Sequence, residues 1–181
     1  VKVDQEGNVV GDSDFPVNPA GFLIHSCIHH ARPDGPCVLH THTRAGNAVA
    51  MQRDGLLPLN QKALIILGWV AYHDYEGVVL DASEQESLVR DLGDNKILIM
   101  RNHGLLTFTS TIPECWRLTY QLETACQIQI DAMAGGAPLI ELPSSISDEA
   151  YERYKARPAV EHGQREWRAV LEMLKGEDYA T

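Results

Sequence analysis

At 181 residues the chain is long enough for one compact domain with a sizeable core. Its 44% hydrophobic and 22% charged residues exclude disordered and collagen-like classes. Twenty-five acidic against fifteen basic residues give a net charge of -10, which disfavours nucleic acid and anionic membrane surfaces as partners. No apolar run approaches the roughly 20 residues of a membrane span, and Val1-Lys2-Val3-Asp4 shows no signal-peptide pattern, so the expected location is the cytoplasm.

The chain opens in a strand-like stretch followed by a turn at Glu6-Gly7-Asn8; a start at Val1 fits either processing or a portion of a longer chain. Asn18-Pro19 is a helix-start signal, after which Ala20, Leu23, Ile24, Cys27, Ile28 and Ala31 share one helical face until Pro33. Cys37 to His42 is short and β-branched enough for a strand, and a helix is expected from Thr43 to Arg53, closed by Gly55. Residues 56–75 are apolar without a clear period. Gly77-Val78-Val79-Leu80 reads as a strand, followed by a helix with a Ser83/Glu86 capping box that stops at Gly93. The continuous apolar run Lys96 to Met100 suits a central strand buried on both faces. A turn at Asn102-His103-Gly104 leads to a further strand at Leu105 to Phe108. Thr111 and Glu114 form a second capping box, with Pro113 in the first turn of a long helix that ends at Gly135-Gly136. Trp167, Val170, Leu171 and Leu174 then repeat at the spacing of an amphipathic terminal helix. Interleaved helices and strands point to a sheet covered by helices. Four scattered cysteines with no C-x-x-C pair read as reduced thiols rather than a disulfide framework.

Side chains at i and i+2 of a strand share a face, so His40 and His42 present two imidazoles about 7 Å apart at the backbone, able to converge on one ion. The best third ligand is His103, in a turn and followed by glycine. Three neutral imidazoles with an open position suit a catalytic zinc; without the third, His-x-His reads more simply as two polar residues at a strand end. His25 and His29 share a helical face but have no third partner, and His30, His73 and His162 have no informative spacing.

Val3-Asp4-x-x-Gly7-Asn8-Val9-Val10, Ala31-Arg32-Pro33-Asp34, His40-Thr41-His42-Thr43, Arg101-Asn102-His103-Gly104 and the long helix with Glu123 together resemble the class II aldolase/adducin family over about Val3 to Gly136. Gly21-Phe22-x-x-His25, Gly55-Leu56-Leu57-Pro58 and Ala71-Tyr72-x-Asp74-Tyr75-x-Gly77 look closest to its adducin-like branch. The resemblance implies an α/β fold, a three-layer α/β/α sandwich with a largely antiparallel central sheet. It also implies a homotetramer with sites near subunit contacts, and zinc held by His40, His42 and His103. Residues 1–181 are expected to form a single domain of this kind, lacking the family's upstream segment with its Gly-Asn-x-Ser loop. The acid/base glutamate of the sugar-phosphate aldolases is replaced by Gly21, and a tyrosine they use is replaced by Gln61 or Lys62.

The function these features lead us to expect is a divalent-metal-dependent lyase, an aldehyde-lyase or carboxy-lyase, acting on a small hydroxy-carbonyl or hydroxy-carboxylate compound. Retro-aldol cleavage and decarboxylation both draw on metal stabilisation of the charge left by C–C cleavage. Zinc is the expected ion, with manganese, iron or nickel as alternatives. The catalytic acid/base is unassigned, because Tyr72, His73 and Asp74, the nearest polar cluster in sequence, read more simply as a polar loop. Arg101 and Asn102 flank His103 and are candidates to orient it or meet an anionic substrate, or else a surface arginine and a turn residue. The alternatives are an adducin-like metal-binding structural or interaction protein without catalysis and, less favoured, a non-haem iron oxygenase; the chain has no basic tail of the adducin kind.

Overall fold

The computed structural model describes residues 1–77, 82–140, 142–156 and 163–176, with the side chains of residues 82–84 outside that description. The N-terminal stretch forms a small loop closed by a Val3–Val9 bridge, in which the Asp4 carboxylate accepts hydrogen bonds from the Asn8 backbone and side-chain amides. Helix α1 (Pro19–Ala31) starts as its sequence dictates: Asn18 caps it by accepting from the amides of Ala20 and Gly21, and Pro19 occupies the first turn. Strand β1 (Cys37–Thr41) follows, and then α2 (Arg44–Ala50), capped by Thr43. That helix stops three residues short of the expected Arg53, because the chain turns through Gln52 to a left-handed Gly55.

The periodless stretch after it resolves into α3 (Gln61–Leu64), a 3-10 turn (Leu67–Trp69) and strand β2 (Val70–His73). The expected strand at Gly77 to Leu80 lies largely outside the described residues. Helix α4 (Ala82–Leu92) begins before Ser83, so Ser83 lies within the helix rather than at its cap. Strands β3 (Ile97–Met100) and β4 (Gly104–Thr109) are buried throughout. Helix α5 (Ile112–Ala134) is capped by Thr111, whose side chain accepts from the Glu114 amide. The Glu114 carboxylate also takes a 2.6 Å bond from Lys96 Nζ. Helix α6 (Ser144–Lys155) was not expected from the sequence, and α7 (Gln164–Met173) was.

Among the described strands the sheet order is β1-β4-β3-β2; β1–β4 and β4–β3 are antiparallel and β3–β2 parallel, so the sheet is mixed but largely antiparallel. Alternation along β3 and β4 splits the core in two. Ile97, Ile99 and Leu105 pack with Leu118, Leu122 and Ala125 of α5. On the other face Leu98, Met100, Leu106 and Phe108 pack with Ile24 and Ile28 of α1 and Leu88 and Leu92 of α4. The result is a three-layer α/β/α sandwich. The four cysteines are free thiols, three of them buried. No described helix is long and apolar enough to cross a membrane.

Candidate metal centre

The centre is built where β1 ends. His40 pairs with Leu106 across the β1–β4 ladder, which turns its side chain toward the α1/α4 face, and His42 follows two residues on. His103 arrives from the β3–β4 turn, where Asn102 takes a left-handed φ of 56°, a conformation that asparagine tolerates better than most residues. The three rings converge, with centroid separations of 4.6 Å for His40–His42, 4.9 Å for His40–His103 and 4.8 Å for His42–His103. One nitrogen from each lies within 4.8 Å of the others.

The tautomer of His40 follows from its neighbours. Its Nδ1 lies 2.9 Å from the Leu105 carbonyl oxygen, which can only accept. Nδ1 therefore carries the proton, and the Nε2 lone pair faces His42 Nε2 at 2.8 Å. Two imidazole nitrogens at that distance are satisfied by a shared proton or by a shared cation. Burial, followed by the neighbouring His103, holds His40 down at about 4, and burial likewise lowers His103, so both are neutral at physiological pH. A backbone acceptor fixing the far nitrogen is how metal-bound histidines are commonly oriented. The donor set thus suits zinc or another divalent ion that accepts imidazole nitrogen.

Gly104 has no positive φ; its hydrogen is demanded by space. A Cβ there would stand 2.5 Å from the Thr41 carbonyl oxygen, 2.9 Å from His42 Cδ2 and 3.3 Å from His40 Cε1. The corner that follows His42 is also held: Thr43 Oγ1 accepts from the Gly46 amide and donates to the half-buried Glu123 of α5. Glu123 thereby ties the long helix to the segment that carries His42. No local pattern reveals that role, because the contact joins elements 80 residues apart.

The three histidines open into a cavity of about 420 Å³ whose other walls include Asn18 and Gly21 of the α1 start, Tyr75 and Asn102. Tyr75, missed as a site residue by the sequence reading, has its ring centroid 6.4 Å from that of His103. Asn102 lines the cavity, whereas Arg101 does not: its Nη1 donates to the Gln52 carbonyl at 2.6 Å and its guanidinium lies 4.3 Å from the Tyr72 ring centre. The polar cluster at residues 72–74 is dispersed. Tyr72 and His73 belong to β2 and face opposite ways; the Tyr72 hydroxyl accepts from the Leu56 amide, and the buried His73 Nδ1 lies 2.8 Å from Asp91 Oδ2. Asp74 is exposed. His25 and His29 are not drawn into the histidine cluster, and Gln61 and Lys62 line a separate groove beside Trp116 and Tyr120.

The profile of the Class II Aldolase and Adducin N-terminal domain matches residues 1–130, and the chain belongs to the class II aldolase/adducin family. It is similar to a crystal structure of an aldolase II superfamily protein from Pseudomonas syringae, with 45% identity and a TM-score of 0.91 over 96% of this chain and 70% of that one. An L-fuculose 1-phosphate aldolase from Glaciozyma antarctica is 29% identical with a TM-score of 0.80, over 99% of this chain and 70% of that one. Alpha-adducin of Rattus norvegicus is 39% identical across 100% of this chain, which corresponds to 26% of adducin's length. The chain spans about half the length of the curated bacterial relatives it matches, 56% and 58%.

Proposed function

We propose that His40, His42 and His103 hold one divalent ion, zinc first and manganese, iron or nickel as alternatives, and that the chain forms the core of a metal-dependent lyase. The observation that carries this reading is the convergence of three imidazoles on the wall of a cavity of about 420 Å³, a size suited to a small molecule. A bound ion would supply Lewis-acid polarisation of a carbonyl or carboxylate oxygen and so stabilise the negative charge left by C–C cleavage. The substrate class is a small hydroxy-carbonyl or hydroxy-carboxylate compound, cleaved by retro-aldol or decarboxylation chemistry.

The protein's own groups set the frame for that chemistry. Leu105 and the strand end orient His40, Glu123 and Thr43 steady the corner after His42, and Asn102 and Tyr75 bound the cavity. No carboxylate is among the described lining residues, and Tyr75 is the described lining residue besides the histidines that carries an ionisable group, so its hydroxyl is a candidate general acid/base. The assembly we propose is a homotetramer acting on a small molecule, with no nucleic acid or membrane partner.

A second reading is favoured by the adducin similarity, which runs over the whole chain, and by glycine at position 21: an adducin-like structural or interaction protein that retains the ion without catalysis. Metal analysis coupled to turnover on a panel of aldol and carboxylate substrates separates the two. Wild type is expected to hold about one ion per chain and His103→Ala to lose most of it, because two imidazoles bind weakly. Wild type that stays metal-free after supplementation, by mass spectrometry, would end both readings of the ion site. Bound metal with no turnover across the panel would favour the adducin-like one.

A further inference from the structure

Gly21 stands in the first turn of α1, and a glycine in a helix destabilises it relative to alanine. Nothing in the fold requires one there. Its φ is not positive, and the nearest atoms a Cβ would meet are those of Asn18, at 3.7 to 3.8 Å, an ordinary van der Waals contact. The helix cap uses only the backbone amide of residue 21, which donates to Asn18 Oδ1. What does distinguish the position is that it walls the same cavity as His40, His42 and His103.

Charge supplies the second part of the argument. The protein carries a net charge of -10, yet no aspartate or glutamate is among the described residues lining this cavity. Imidazoles that ligate are neutral, so the described lining leaves the charge of a divalent ion uncompensated, and such a dication in a partly enclosed site favours an anionic ligand. Gly21 presents no side chain to that space, and the room a larger residue would take beside the α1 wall stays open. Resting on the metal reading above, we infer that the space beside Gly21 receives a carboxylate of the substrate, which makes the substrate class a small hydroxy-carboxylate rather than a neutral hydroxy-carbonyl compound. The substrate then brings the negative charge that the described lining leaves out, and an acidic side chain at position 21 would repel it and fill its place.

The test uses the full zinc-loaded chain, with zinc content measured before each titration, and two probes of similar size, glycolate and hydroxyacetone, followed by calorimetry. Wild type is expected to bind glycolate at least about tenfold more tightly than hydroxyacetone, since attraction between a carboxylate and a dication a few ångströms away is worth that much or more. Gly21→Gln fills the space without charge, and Gly21→Glu is expected to weaken glycolate at least about tenfold beyond Gly21→Gln while zinc stays bound. Gly21→Ala is expected to melt no lower than wild type. If wild type binds zinc but shows no preference for glycolate, or if the Gln and Glu variants weaken it equally, the carboxylate inference is overturned and the metal reading stands. A lower melting temperature for Gly21→Ala would reveal a structural need for glycine and overturn it too. If wild type takes up no zinc, the metal reading itself fails and the inference with it.

Discussion

Replacing Gly104 with alanine should damage the histidine centre through sterics alone. The added Cβ would lie 2.5 Å from the Thr41 carbonyl oxygen, whereas carbon–oxygen contacts settle near 3.3 to 3.6 Å, so the strand end must retreat by about 0.8 Å or more. That oxygen belongs to the residue between His40 and His42, and the same Cβ presses on both rings, so the displacement falls on two of the three imidazoles. Overpacking of this kind costs about 1–3 kcal/mol. For a domain of this size each kcal/mol lowers the melting temperature by roughly 2–4 °C, which gives a fall of about 2–12 °C in the metal-free protein. Because functional geometry tolerates only about 0.5 Å, metal affinity should fall as well. Differential scanning calorimetry of metal-free protein, with zinc content of a supplemented sample, provides the readout. A Gly104→Ala protein that melts with wild type and carries a full complement of zinc would refute the steric reasoning.

Three other outcomes follow from the site. His40 has its folded pKa lowered from 6.5 to about 4, so its contribution to the metal-free protein is fully present above pH 6.5. As pH falls from 6.5 toward 4 the unfolded chain takes up the proton first, and up to about 3 kcal/mol of stability is lost, as urea unfolding across that range would show against a flatter His40→Asn variant. Light scattering on the full-length protein at micromolar concentration should give the mass of a tetramer, consistent with the exposed apolar residues Leu171, Met173 and Leu174 at the end of the chain's last described helix; a strictly monomeric mass would contradict it. With Gly21 in place of a general acid/base, the metal-loaded protein should cleave fuculose-phosphate-type substrates at least about 10²-fold more slowly than an aldolase that has one, and efficient turnover would show that another group does that work.

The elements with local signatures were legible in the sequence. Asn18-Pro19, Thr111 with Pro113, and the uninterrupted Ile97 to Met100 run announce α1, α5 and β3 because capping, proline placement and two-sided burial act over a few residues. Strand β2 was not legible: Val70 to His73 follows apolar residues of the 3-10 turn with no change of period to mark where one ends and the other begins. Helix α6 has no side-chain cap, and Tyr154 is its one buried residue among those described, so it shows neither a start signal nor a stripe. At the site, His40 and His42 were readable because strand spacing puts them on one face, and His103 because a turn between strands can return a side chain to that place. The resemblance marked Gly21 as the position of a missing glutamate. That Gly21 shares a cavity with Tyr75 and the three rings depends on how α1 settles over the end of the sheet, which no local pattern encodes.

The route by which the histidines meet has a consequence for the order of events in folding. The bond from His40 to the Leu105 carbonyl bridges 65 residues, and the ladder that brings β1 beside β4 closes over everything between them. Ordering so long a loop costs entropy before any contact rewards it. On the proposed metal reading, an ion would find its three nitrogens together only once β4 has docked on β1, too late to guide the early steps. Binding at that stage would act on the finished sheet, deepening the native well and slowing escape from it while the rate of reaching it stays as it was. Loaded with an ion, the cluster would be a clasp fastened last, holding shut the sheet whose closure created it.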